Sequence, residues 1–323
     1  MRTIAIEEHF RSNAFREAQA AGRLGDAGGR SAAIDRAADR LADLGPGRLS
    51  EMDAAAIDVQ VVSHNVPGPE AFAAAEAVVI ARDMNDELAE AIRAHPDRLA
   101  GFAMVPTPDP EAAAGELRRA VIELGFRGAM VHGTTGGRFL DDPFFWPIFA
   151  AAEHLRVPVY LHPAPPPAAV RDAYYGGFPA EVAYVLATTA WGWHVETGLH
   201  ALRLVLAGVF DRYPALQVVI GHMGEAVPFM LGRADSVLGR CATLERPVRE
   251  YFVRNFHYTT SALFTAPPFD CLLEIAGAGR VLFAVDYPFS SNQQARDFLL
   301  SAPISPLDRE RIAHGNAEAL LGL

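Results

Sequence analysis

The sequence predicts an α/β fold, a closed (β/α)8 barrel, on three observations. Eight short apolar runs are bounded by Gly or Pro, stretches of helical periodicity lie between them, and acidic or imidazole side chains gather at the ends of several runs, four of them carrying the candidate site residues. Near-continuous apolar strands indicate a parallel sheet buried on both faces, and eight strand-helix alternations indicate closure into a barrel. An open doubly wound sheet is the runner-up, but no glycine-rich phosphate loop follows the first run.

The runs are TIAIEEH (3–9), VQVVSHN (59–65), AGFAMVP (100–106), RGAMVHG (127–133), VPVYLHP (157–163), QVVIGHMG (217–224), FHYTTSA (256–262) and RVLFAVDYP (280–288). Their lengths suit strands, whereas EAFAAAEAVVIARDMNDELAEAIRAH, PEAAAGELRRAVIELG, DPFFWPIFAAAEHL and PPFDCLLEIAG carry helical periodicity. Two connections are longer than a barrel needs. Residues 10–50, rich in Ala, Arg and Gly and partly helical, follow the first run; residues 163–192, with PAPPP and DAYYGGFP, follow the fifth. Connections of that length inside a compact domain build lids or binding loops. The expectation is one barrel domain over residues 1–323 with inserted loops after strands 1 and 5.

Composition narrows the function. Half of the residues are hydrophobic and 21% are charged, which suits a large buried core. A net charge of -11 argues against a nucleic-acid partner, which would call for clustered basic residues. All 28 basic residues are arginine. The absence of lysine removes Schiff-base chemistry, a P-loop and a carbamylated lysine bridging two metals, so a metal site would be mononuclear. Cys241 and Cys271 are far apart and are expected to be ordinary buried thiols. No basic segment followed by an apolar core opens the chain, and no apolar run reaches the ~18 residues of a membrane span, so a soluble cytoplasmic protein is expected.

The chemistry lies at the strand ends. In the first run Glu7 and His9 share one face of a strand and Glu8 points to the other. A carboxylate and an imidazole side by side form part of a ligand set that Zn²⁺, Mn²⁺ or Fe²⁺ accepts. The fifth run ends at His162, the sixth at His222 and the eighth at Asp286. Strand carboxyl ends converge on one mouth of a barrel, where barrel active sites lie. One histidine closing a strand is ordinarily structural, but four ligand-bearing ends meeting at one mouth point to a metal. His95 and His154, in helix termini, are expected at the surface. His64, His132 and His257 are expected near the mouth as partners orienting the ligands. Trp191, Trp193 and His194 are candidates for the wall of an aromatic pocket, with core packing as the alternative for the tryptophans.

EEH, LHP, GHMGE and DYPF, in that order, resemble the amidohydrolase superfamily. RLSEMDAAAIDVQVVS and the terminal HGNAEALLGL extend the resemblance over nearly the whole chain. It is closer to the branch holding aminocarboxymuconate semialdehyde decarboxylase, γ-resorcylate decarboxylase and the dihydroxybenzoate decarboxylases. Most of the superfamily opens with His-x-His; Glu7-x-His9 narrows the match toward γ-resorcylate decarboxylase. The resemblance implies one divalent ion, Zn or Mn, held by Glu7, His9, His162 and Asp286, with His222 and Glu225 as an acid/base pair. It also implies a homodimer or homotetramer in which Arg233 of a neighbouring subunit touches substrate. The implied activity is non-oxidative decarboxylation of a hydroxybenzoate-like, or related unsaturated cyclic or semialdehyde, carboxylic acid, with Asp286 as proton donor. Hydrolysis of a lactone, amide or ester is the alternative, since the same ligands suit it. PAPPP after His162 and SSNQQ after DYPF match no known substrate pocket.

Overall fold

The computed structural model describes residues 1–24 and 32–323. Each predicted run contains one strand: β1 (Ile4–Phe10), β2 (Val59–His64), β3 (Leu99–Gly101 continued by Ala103–Met104), β4 (Ala129–His132), β5 (Val159–His162), β6 (Val218–Ile220), β7 (Phe256–Thr259) and β8 (Val281–Leu282). All neighbouring strands pair in parallel. The ladder breaks inside β3 at Phe102, whose N–H bonds the Val62 carbonyl at 2.9 Å while the Ala103 N–H bonds Gly128 at 2.8 Å. One strand thus serves both sheets. At the opposite seam, the Ile6 N–H donates to Phe283 at 3.1 Å and the His9 N–H to Tyr287 at 2.7 Å, which sets β1 beside the continuation of β8 and closes the ring.

Alternation along the strands sorts side chains into two apolar layers. Ile4, Ile6, Val61, Tyr160, Val219 and Leu282 belong to one cluster, inside the barrel. Ala5, Val62, Leu161, Val218 and Ile220 belong to another, with the inward faces of the helices. Helix Ala74–Ala94 shows the matching pattern, burying Ala77, Ile80, Ala81, Met84 and Leu88 at helical spacing. Helix Pro110–Ile122 starts where the Asp109 carboxylate accepts the Ala112 N–H, with Pro110 at the first turn.

The two insertions are largely helical. Helices Asn13–Ala20, Ala32–Arg36, Ala38–Ala42 and Pro46–Ala54 follow β1; residues 25–31 of the predicted 10–50 segment lie outside the described residues. Helices Ala168–Tyr174, Ala180–Ala187 and Gly192–Leu206 follow β5. The first insertion also braces the mouth. Its Arg48 is fully buried, donates to Asp43 O at 2.8 Å, to Gln60 Oε1 at 3.0 Å and to the His9 carbonyl, and lies 4.7 Å over the Tyr287 ring. Glu8, on the face opposite Glu7, accepts the Val285 N–H at 2.9 Å.

Three expectations change. Cys241 is exposed just beyond helix Val227–Leu238 and Cys271 is half-buried on helix Ala266–Ala276, so neither is a core thiol. His257 stands second in β7 rather than at its end, and its Nε2 lies 3.0 Å from Arg280 Nη1, away from the mouth. His95 is only half-exposed, whereas His154 is at the surface. Among the described residues, no helix is long and apolar enough to cross a membrane.

Two buried histidines set an acid limit on stability. His200 accepts the Leu140 N–H on Nε2 at 2.9 Å, and burial, aided by the Arg203 charge, pushes it down from 6.5 to about 3. Burial and then Arg280 push His257 to about 3 as well. With folded values below unfolded ones, the stabilisation is complete above 6.5 and is lost as pH falls toward about 3. The unfolding free energy from urea titration should therefore drop on acidification, by roughly 1.4 kcal/mol per pH unit per histidine inside that window. His200→Gln keeps an acceptor oxygen without the titration and should flatten the slope; an unchanged slope would exclude His200 as a source.

Candidate metal centre and acid/base pair

The β1–β2 register slips at Glu7: Ile6 pairs with Val61 and Glu8 with Val62, and Glu7 has φ 73°. This bulge turns the Glu7 carboxylate into the mouth. Its Oε2 accepts hydrogen bonds from Thr259 at 3.0 Å and from the hydroxyls of Tyr160 and Ser261. Its Oε1 is buried without a hydrogen-bond partner and faces His162 Nε2 at 3.6 Å and His222 Nε2 at 3.8 Å.

His162 donates Nδ1–H to the Pro163 carbonyl at 2.7 Å, which leaves Nε2 as a bare lone pair. Burial, reinforced by His9, His132 and His222, holds this imidazole well below its ordinary value, hence neutral. Two lone-pair atoms, His162 Nε2 and Glu7 Oε1, thus point at each other inside the protein. Across the mouth, His9 Nε2 lies 3.2 Å from Asp286 Oδ1 yet makes no hydrogen bond. One ligand atom from each of Glu7, His9, His162 and Asp286 lies within 4.8 Å of the other three. Two carboxylate oxygens and two imidazole nitrogens, some unsatisfied, fit a single divalent cation.

The expected acid/base pair, His222 and Glu225, sits on a turn of unusual backbone. After β6, His222, Met223, Gly224, Glu225 and Ala226 all have positive φ, between 48° and 88°, before helix Val227–Leu238 begins. Left-handed non-glycine residues cost on the order of 1–3 kcal/mol each and gather at functional sites. The turn brings His222 Nδ1 to 2.7 Å from Glu225 Oε1, and the His222 N–H donates to Ser261 Oγ at 3.1 Å. Gly221 makes room: a Cβ there would sit 3.0 Å from both Glu7 oxygens and 3.2 Å from Glu225 Oε1.

Charges follow from this packing. Burial pushes the Glu7 carboxyl above its usual range; His222 offsets part of that, and the Asp286 charge adds to it. Burial would lower His222, but Glu225, Glu7 and Asp286 outweigh it and hold the imidazole well above its ordinary value. Burial would raise Glu225 and Asp286, yet neighbouring imidazoles keep both below the usual carboxylate range, His222 and His194 for Glu225, His222 and His9 for Asp286. The mobile proton therefore resides on His222. The raised pKa that a protonated Asp286 would require is absent, its carboxyl being held below the usual range.

The structure thus brings six predicted residues to one mouth: Glu7, His9, His162, His222, Glu225 and Asp286. Arg233 is exposed on helix Val227–Leu238, and among the described residues no hydrogen bond or ion pair joins its guanidinium to the cluster. His132 is where it was expected, its ring 5.2 Å from that of His162. Of the predicted aromatic wall, Trp193 lies 6.5 Å from the His162 ring, while Trp191 is largely exposed and His194 binds Glu225 instead. Sequence reasoning missed the hydroxyls on Glu7. Their signal was spacing: Tyr160 shares a strand face with His162, and Thr259 and Ser261 stand two apart in FHYTTSA.

A family model described as amidohydrolase matches residues 12–323. The chain belongs to the amidohydrolase family. Gamma-resorcylate decarboxylase of Rhodococcus jostii (strain RHA1) is 41% identical, over 99% of this chain and 98% of that protein. The crystal structure of 2,6-dihydroxybenzoate decarboxylase complexed with 2,6-dihydroxybenzoate has a TM-score of 0.90 at 35% identity, covering 100% of both chains. That of the Polaromonas sp. JS666 dihydroxybenzoic acid decarboxylase, with bound manganese and the inhibitor 2-nitroresorcinol, has a TM-score of 0.89 at 36% identity, covering 100% of this chain and 97% of the other.

The cluster generates a test of metal binding. Elemental analysis should find about one divalent ion per chain, and Mn²⁺ at a hundredfold excess over its Kd should add about 2.7 kcal/mol of stability. His162→Ala should fold, hold far less metal and lose most of that increment. A full metal complement in the variant would remove His162 from the ligand set.

Proposed function

We propose that this chain is a metal-dependent, non-oxidative decarboxylase of a hydroxybenzoate. The observation that carries the reading is the four-ligand cluster with a protonated His222–Glu225 pair against it, in a chain similar along its whole length to dihydroxybenzoate decarboxylases. Glu7, His9, His162 and Asp286 would hold the ion. When bound, the ion supplies positive charge to a substrate carboxylate and its ortho oxygen.

The remaining chemistry belongs to the side chains. Loss of carbon dioxide from an intact aromatic ring would leave a localised aryl anion, so the ring carbon must be protonated first. His222 holds the proton on Nε2, 3.9 Å from Asp286 Oδ2, and Glu225 fixes the ring through Nδ1. Asp286 takes this proton and delivers it to the carbon bearing the carboxylate. A C–H bond forms, the bond to the carboxylate breaks with its electron pair returning to the ring, and carbon dioxide leaves. Trp193 and Phe289, with ring centroids 6.5 Å from His162 and 6.1 Å from His9, suit the flanks of a flat substrate. Arg233 would reach substrate from a second copy of the chain; its exposure beside the exposed Phe229 and Met230 supports that placement in a dimer or tetramer.

In deuterium oxide the product should carry one deuterium where the carboxylate was. Asp286→Asn should lower the rate by roughly 10²- to 10⁴-fold, with metal content measured alongside. Lactone or amide turnover with no carbon dioxide from any salicylate or resorcylate would overturn the reading in favour of hydrolysis. An active, metal-replete Asn variant would overturn the role of Asp286.

The position of Arg233 yields a separate expectation. Light scattering should show a dimer or larger, and mixing Arg233→Ala subunits with inactive Asp286→Asn subunits should restore activity that neither has alone. A monomer, or mixtures without recovery, would refute action across an interface.

A further inference from the structure

Glu225 has a second imidazole partner that the acid/base pair does not require. His194 Nδ1 lies 2.7 Å from Glu225 Oε2, while His222 Nδ1 lies 2.7 Å from Oε1. The fully buried carboxylate is held between two rings whose centroids are 4.6 Å apart. The contact is built into the packing of helix Gly192–Leu206. Gly198 lies one turn beyond His194 on the same helix face, and a Cβ there would stand 2.5 Å from the Glu225 carbonyl oxygen. Absence of a side chain at Gly198 lets the helix press on the turn, and His194 uses that approach to reach the carboxylate.

The far edge of the ring is also provided for. His194 Nε2 lies 3.0 Å from the Trp193 indole N–H, which can only donate and so requires a bare nitrogen. It lies 3.1 Å from the Thr189 carbonyl oxygen, which can only accept and so requires an N–H. Neutral and cationic His194 each have a partner at Nε2, and in both the Nδ1–H stays committed to Glu225. The charged or titratable side chains in contact with His194 among the described residues are Glu225 and His222.

We propose that His194 is a positioning residue that clamps Glu225 in the ionised, His222-facing orientation in either of its own charge states. Resting on the decarboxylase reading, the clamp serves proton delivery through His222. A carboxylate with only one partner could rotate about its terminal torsion or take up a proton, and His222 would then lose its fixed ring orientation. Because among the described residues no hydrogen bond, ion pair or ring contact joins His194 to the four ligand residues, its loss should spare both metal and substrate binding.

The test compares His194→Leu, which removes the donor, with His194→Gln, which keeps an N–H of similar reach, both as manganese-loaded protein. On hydroxybenzoates the Leu variant should lose about 10- to 100-fold in kcat at near-constant KM and metal content, with Gln restoring most of it. In ¹⁵N-histidine spectra of the same proteins loaded with diamagnetic Zn²⁺, read without substrate, the His222 ring signals should shift in the Leu variant and return in the Gln variant. Unmoved His222 signals in the Leu variant would overturn the clamp whatever the reaction. Equal losses in Leu and Gln, or a loss confined to KM or metal content, would overturn it as well. If wild type decarboxylates no hydroxybenzoate, the decarboxylase reading falls, and the spectra alone decide the clamp.

Discussion

The mouth of this barrel is organised around one buried carboxylate. Glu7 is fully enclosed, three hydroxyls crowd one of its oxygens, and the other faces the bare Nε2 of His162 without a hydrogen bond. Such a group is costly to bury unless a cation compensates it. Everything nearby bears on that compensation. His162 is locked in the tautomer that offers Nε2, Gly221 keeps the adjacent strand end close, and Asp286 adds a second carboxylate on the far side. The His222 cation offsets part of this charge from one side, and a metal held among Glu7, His9, His162 and Asp286 would offset the rest where Glu7 Oε1 and His162 Nε2 face each other.

Placing these groups requires backbone that regular strands do not provide. Glu7 and Asp286 occupy left-handed conformations, as do His222 and Glu225. Four of the six clustered side chains are therefore held at strained positions. The surrounding fold fixes them: Arg48 ties the His9 carbonyl to the first insertion, and Glu8 binds the backbone that leads into Asp286. The second carboxylate of EEH thus positions the first indirectly, by joining β1 to the segment after β8. A substitution at Glu8 or Arg48 would act on the site without touching it.

The eight strands were legible because each is an apolar run closed by a turn-forming residue, and the mouth was legible because position along a strand decides which end a side chain occupies. His162 and Asp286 come at or after the ends of their runs and meet; His257 comes second in its run and belongs at the opposite end. The same rule would have placed it. What the pattern did not disclose lay in backbone twist and in helix packing. The positive-φ turn after β6 has no residue-type signature apart from Gly224, since most of its members are not glycine. His194 read as pocket wall because helical spacing shows which residues share a face, not which loop that face meets. Arg233 is exposed, and the contact proposed for it, reaching a neighbouring copy, would have no partner within its own chain.

The distribution of charge separates two tasks that the ligand list alone would merge. A carboxylate that binds a cation is held ionised by it, and Asp286 already lies below the usual range through His222 and His9. It is therefore a poor store for a proton, however well placed it is to deliver one. His222 is the better store: three carboxylates outweigh the burial that would strip its proton, and one of them, Glu225, is itself kept ionised by a second imidazole. In the proposed mechanism, storage and delivery would fall on adjacent residues 3.9 Å apart. That division would let Asp286 serve as a ligand between turnovers and carry a proton only during the step that needs it.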